Sequence, residues 1–128
     1  MNDWLRARTA VWPDALALQI GEQHWSYGAL DGLTDGWAGW LTEQGVTAGV
    51  KVGVLLPNCR EYVCLIHALA RVGGVLVPLN TRLTPDELGW QIEFTDCELL
   101  LVNEKTAVSV STTTKISIVD INTIFIDG

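Results

Sequence analysis

The sequence predicts an α/β domain, a mostly parallel sheet flanked by helices, with a short β-hairpin near the amino terminus. Three observations carry that expectation. Short apolar runs rich in β-branched residues recur at VKVGVLLPN (50–58), GGVLVPLN (73–80) and CELLLVNE (97–104). Segments of helical periodicity alternate with them, the pattern of a sheet built by crossover connections. The chain of 128 residues is 48% hydrophobic, enough for one domain with a buried core.

Each element follows from local signals. Asp3 to about Val11 reads as a short helix that ends before Pro13, with Trp4 and Leu5 on its apolar side. ALALQIGEQHWSY (15–27) reads as a hairpin turning at Gly21-Glu22. Ser26 caps a helix running to about Gln44, with Gly45 as the residue that ends it. Leu30, Leu33, Trp37, Trp40 and Leu41 give that helix an apolar face, and Gly28, Gly32, Gly36 and Gly39 form a second stripe of small residues. After the strand at 50–58, a helix is expected to start at Asn58, with Glu61 completing a capping box. It is apolar nearly all round, apart from a polar stripe of Arg60, His67 and Arg71 expected to face mostly solvent. The strand at 73–80 leads to a strong helix start, with Thr84 as N-cap, Pro85 first in the helix and Glu87 closing a capping box. Leu88 and Ile92 fall on one side of this helix, Trp90 and Phe94 nearly opposite. CELLLVNE is the next strand, and the Ser/Thr-rich remainder (106–128) is β-like without a helical pattern.

Charge and composition remove several classes of function. Fifteen acidic residues against eight basic ones give a net charge of −7, which opposes binding to nucleic acid or an anionic membrane. Mean hydropathy is +0.26, yet the longest apolar runs, about eight residues, are too short to span a bilayer. The amino-terminal residues lack the apolar core of a secretory signal. Cys59, Cys64 and Cys97 form no CxxC pair and read as reduced, mostly buried thiols of a soluble cytoplasmic protein, with no metal site.

The usual catalytic signatures are missing. The sequence contains no GxGxxG after a strand, no GxxxxGK[ST], no GxSxG and no HExxH. SVSTTTK (109–115) offers hydroxyls and a lysine, but no glycine to let backbone amides curl round a phosphate, and reads as a loop or edge strand. The carboxylates Asp86/Glu87 and Asp14/Glu22 read as helix capping and solvated surface. No catalytic residue is assigned. Arg82 is the one candidate. It lies beyond a strand's carboxyl end and just before a helix start, where a planar guanidinium suits a phosphate, although an ordinary surface arginine fits the position too.

In combination, WSYGAL (25–30), GVKVGVLLPNCREYV (49–63), RVGGVLVPLNTRLTPDEL (71–88) and CELLLV (97–102) resemble the opening of the adenylate-forming enzymes, the AMP-binding acyl-CoA synthetases and ligases. The resemblance covers 3–103, and 104–128 cannot be aligned to it. Within the family, NDWLRARTAVWPD, IHAL and LNTRLTPDELGWQIE are most similar to the 2-succinylbenzoate–CoA ligases of menaquinone synthesis. Phe94 departs from the acidic residue common there.

The resemblance implies an amino-terminal part of the ligase's large domain. The parent would use Mg-ATP to convert a carboxylate into an acyl-adenylate, then pass the acyl group to coenzyme A. The phosphate loop, catalytic lysine and adenine pocket of the family lie further along its chains, so these residues alone are expected to be inactive and to bind no cofactor tightly. Arg82 matches a position where some family members contact the phosphate end of coenzyme A. Fatty or aryl acid–CoA ligases and peptide-synthetase adenylation domains share much of the pattern. The alternative from another class is a non-catalytic α/β binding or assembly module, forming a homo-oligomer through the exposed Trp90 and Phe94.

Overall fold

A computed structural model describes residues 3–110, 116–124 and 126. The chain divides into two compact units. The first holds residues up to Ala48 together with Asn58–Gly73 and Ile126, and the second holds Gly49–Pro57 and Gly74 to Ile124.

The first unit contains α1 (Trp4–Val11), the strands β1 (Leu16–Ile20) and β2 (Gln23–Ser26), and the helices α2 (Tyr27–Glu43) and α3 (Arg60–Val72). Asp3 caps α1 by accepting the Arg6 N–H at 3.0 Å, and Ser26 caps α2 by accepting that of Ala29 at 3.1 Å. β1 and β2 pair antiparallel with Ile20 opposite Gln23, so Gly21 and Glu22 form the turn, Gly21 at φ 61°. Leu5, Leu30, Trp37, Leu41, Cys64, Leu65, Ala68 and Leu69 are buried here. Thr34 is fully buried as well, and its hydroxyl is satisfied by donating to the Leu30 carbonyl at 2.8 Å. Gly73 ends α3 in the left-handed region at φ 78°, and a Cβ there would also stand 3.2 Å from the Ala48 Cα.

Two expectations fail in this unit. α3 begins one residue later than expected, with Cys59 in place of Asn58 at the N-cap, Arg60 first in the helix and no side-chain cap. Glu61 is thereby displaced from the position a capping box needs, and its carboxylate instead accepts the Arg60 guanidinium at 2.8 Å, while that guanidinium lies over the Trp25 ring. Nor is the polar stripe of α3 solvated throughout, because the Arg71 side chain is only 9% exposed. The glycine stripe of α2 has a contact at Gly28, whose added Cβ would meet the Pro13 carbonyl oxygen at 3.2 Å, whereas Gly39 faces open space.

The second unit is built on β3 (Lys51–Leu55), β4 (Val75–Pro78), β5 (Leu99–Val102) and β6 (Ser117–Asp120), in the order β4-β3-β5-β6 with every pairing parallel. This is the α/β architecture the sequence predicts, hairpin included. Helix α4 (Pro85–Thr95) carries the full capping box. Thr84 accepts the Glu87 N–H at 3.2 Å, and Glu87 accepts the Thr84 N–H at 3.0 Å. Leu88 and Ile92 of α4 join Leu55, Leu79, Leu100 and Val102 in one apolar cluster. Gly53, mid-strand in β3, lies beneath it. A Cβ there would meet Leu100 Cδ1 at 3.1 Å and both Cys97 Sγ and Leu79 Cδ1 at 3.3 Å. Short 3-10 turns at Ala107–Ser109 and Ile121–Thr123 flank β6. In SVSTTTK, residues 111–115 lie outside the described residues.

Candidate functional site

Parallel pairing sends the carboxyl ends of all four strands to one edge of the sheet, the edge where ligands of such sheets sit. Three strands leave that edge through an Asx residue whose side chain turns back on the backbone. After β4, Asn80 Oδ1 accepts the Arg82 N–H at 2.9 Å. After β5, Asn103 Oδ1 accepts the N–H groups of Lys105 and Thr106 at 2.9 and 2.8 Å. At the end of β6, Asp120 Oδ1 accepts the Asn122 N–H at 2.9 Å. These side chains fix the loops, and their oxygens are committed locally.

Arg82 therefore has a pinned backbone and an exposed side chain. Among the described residues its guanidinium makes no hydrogen bond or ion pair. A cation held at the mouth of a parallel sheet, with its donors uncommitted, fits a phosphate or other small anion. Among the described residues no group of three His, Cys, Asp or Glu side chains could hold a metal ion.

A second polar constellation, which the sequence pattern did not reveal, lies in the first unit. Arg71 reaches Asp3 at 2.7 Å, Asp35 at 2.9 Å and Asp31, and Arg6 binds Asp31 and Asp35 from α1. Burial works against the Arg71 charge, but the bonds to Asp3 and Asp31 outweigh it and hold its pKa above the ordinary value. For Asp3, burial raises the pKa while the Arg71 bond and the Arg6 N–H more than reverse that, leaving it lowered. A signal was present in the sequence, since Asp31 and Asp35 are four apart on one face of α2. His67 stacks on Trp4 at 6.0 Å, and burial, then the nearby Arg71 charge, lower its pKa. All carboxylates in this cluster are engaged by arginine, so it ties helices together and offers no acid–base pair.

The thiols are equally quiet. Burial pushes Cys64 up to about 11 and also raises Cys59, so neither is a ready nucleophile. Cys59 lines a groove of about 460 Å³ between β1 and the start of α3, bounded by Leu18, Gln19, Ile20, Tyr62, Val63 and Ile66 among others. The described residues thus offer an exposed cation at the sheet's carboxyl edge and an apolar groove, in separate units, without an assembled catalytic centre.

Comparison with known proteins gives these features a family. A family model described as "AMP-binding enzyme" matches residues 5–126, reaching beyond 103, where the motif likeness ends. A 2-succinylbenzoate–CoA ligase of Bacillus cereus (strain Q1) is 41% identical over 100 residues, which is 78% of this chain and 20% of that protein. The corresponding enzyme of Bacillus anthracis (strain A0248) is 40% identical over the same share. Among solved structures, VinN superposes with a TM-score of 0.89 at 28% identity, covering 94% of this chain and 31% of that one. The O-succinylbenzoate coenzyme A synthetase of Bacillus subtilis, in complex with AMP, superposes at 0.82 with 25% identity, covering 97% of this chain and 34% of that one. The chain thus spans about a fifth of the length of the curated relatives it matches.

Proposed function

The chain belongs to the AMP-binding enzyme family, and from that premise we propose that it is the amino-terminal part of an ATP-dependent acid–CoA ligase acting on 2-succinylbenzoate in menaquinone synthesis. The observation that carries this reading is the identity to curated ligases of that name over more than three quarters of the chain. The parent would be a cytoplasmic enzyme that uses ATP, magnesium and coenzyme A.

In this reading the two units of the chain are scaffold. The parallel sheet and its Asx-pinned loops hold Arg82 at the carboxyl edge, where it takes a phosphate of coenzyme A. The charge-dense steps on ATP fall to groups elsewhere in the parent, because they need a convergent set of donors, and the described residues at this edge, with Arg82 and Lys105 on separate loops, do not assemble one. The chain by itself is therefore inactive.

ATP–pyrophosphate exchange tests that inactivity. The chain incubated with 2-succinylbenzoate, magnesium and ATP should give only the background of a carboxylate-free control. Carboxylate-dependent exchange would overturn the assignment of adenylation to the rest of the parent. The substrate is tested by offering the parent fatty and aryl acids beside 2-succinylbenzoate, since a higher kcat/KM for either class would replace it.

A second reading, a non-catalytic assembly module, draws support from α4. Trp90 and Phe94 are 62% and 72% exposed and stack on each other at 4.9 Å. A parent lacking all adenylation activity would favour it.

A further inference from the structure

We propose that β1 is a self-association edge through which two copies of this chain pair strand to strand, forming an antiparallel β2-β1-β1-β2 sheet about a two-fold axis at Gln19.

The first support is an open edge. Among the described residues, β1 pairs with β2 alone, in a two-stranded sheet. Among the described residues, the backbone from Leu16 to Ile20 makes no main-chain hydrogen bond outside the hairpin. Ile20 and Gln23 close the two-residue turn as a hydrogen-bonded pair, so the next residue, Gln19, directs its N–H and C=O away from β2. The groove gives the same orientation independently. Three consecutive residues, Leu18, Gln19 and Ile20, line it, whereas a strand presenting a face would contribute alternate ones. The groove thus runs along the strand's edge.

Of the devices that blunt natural edge strands, LALQI carries no lysine, proline or inward charge, and its one irregularity, between Leu16 and Leu18, lies to one side of the Leu18–Ile20 register. An isolated two-stranded hairpin is marginal, and added strands stabilise it.

Finally, the strand is complementary to itself. In an antiparallel pair centred on Gln19, the two Gln19 residues exchange both backbone hydrogen bonds. Leu18 of each copy then faces Ile20 of the other, apolar against apolar on one face of the joined sheet. Leu16, Ile20 and Ile66, which are 56%, 38% and 43% exposed, gain cover near the seam. The outer edge of β2 is a poorer choice, because it presents Gln23 and His24 and its Trp25 is occupied by Arg60. The pairing brings no like charges together across the strands, although the net charge of −7 on each copy opposes approach at low ionic strength.

Sedimentation velocity over a concentration series tests the proposal. A monomer–dimer equilibrium is expected, strengthened by salt as the net charges are screened. Gln19→Pro removes the outward N–H without touching the bonds to β2 and should shift the equilibrium to monomer. Ile20→Lys places a charge against Leu18 of the second copy and should do the same, with far-ultraviolet circular dichroism checking that both variants fold. In Gln19→Cys, mild oxidation should give a dimer cross-linked through the two introduced thiols, identified by peptide mass spectrometry, since paired residues at this site approach within disulfide reach. The Trp90→Ala/Phe94→Ala variant should dimerise as the unaltered chain does. A chain that stays monomeric throughout, a dimer unaffected by Gln19→Pro and Ile20→Lys, or one abolished by Trp90→Ala/Phe94→Ala would each overturn the proposal.

Discussion

Arg71 shows how much a single side chain can hold in this molecule. Its guanidinium joins Asp3 beside α1 to Asp31 and Asp35 of α2 from a position on α3, so three helices converge on one charge. Breaking a buried pair costs about 3–5 kcal/mol, but Asp35 is 56% exposed and its share is screened, so Arg71→Ala should cost about 2 kcal/mol in chemical denaturation. A loss within a few tenths of a kcal/mol would mean that the network contributes nothing. His67 sets a pH dependence beside it. Its pKa is lowered in the folded state, so the unfolded chain binds the proton more readily and stability falls as pH drops below about 6.5. The facing groups are Trp4, Asp3 and Arg71. His67→Gln should flatten this part of the stability–pH curve, and an unchanged slope would assign it to another group. At Arg82, Arg82→Ala in the parent should raise the KM for coenzyme A while leaving pyrophosphate exchange intact. Equal loss in both half-reactions would remove Arg82 from the coenzyme A site.

At the scale of elements, the features readable in the sequence are those set by local chemistry. Ser26 and Thr84 cap the helices they were expected to cap, and the hairpin turns at Gly21-Glu22. These signals act over three or four residues, so no tertiary contact overrides them. The start of α3 is misleading because Asn58 and Glu61 have the spacing of a capping box, while Glu61 is drawn to Arg60. The engagement of Arg71 is hidden for a related reason. Its partners lie 36 to 68 residues away along the chain, and the periodicity of α3 does not report them. The carboxyl edge of the parallel sheet is legible as a position, but the Asx turns that pin its loops emerge only from the hydrogen bonds. Thr84→Ala should cost about 1 kcal/mol through the lost cap. Gly53→Val should cost about 1–3 kcal/mol by overpacking, since Leu100, Cys97 and Leu79 already surround that site. A neutral Gly53→Val in thermal unfolding would show that the cluster over β3 can give way.

At the scale of the whole molecule, the chain accounts for a family membership more completely than for a reaction. Its sheet, hairpin and capped helices are those of adenylate-forming ligases, yet the described residues bring no nucleophile, acid–base pair or metal-binding cluster to the sheet's edge. The proposed role is the scaffold of a ligase that activates 2-succinylbenzoate. The most direct test is thioester formation by the parent enzyme, followed by mass spectrometry with ATP, magnesium, coenzyme A and 2-succinylbenzoate. The expected result is a succinylbenzoyl-CoA product accompanied by AMP and pyrophosphate. A parent that forms no thioester from 2-succinylbenzoate, or that releases ADP and phosphate in forming it, would contradict the proposed role.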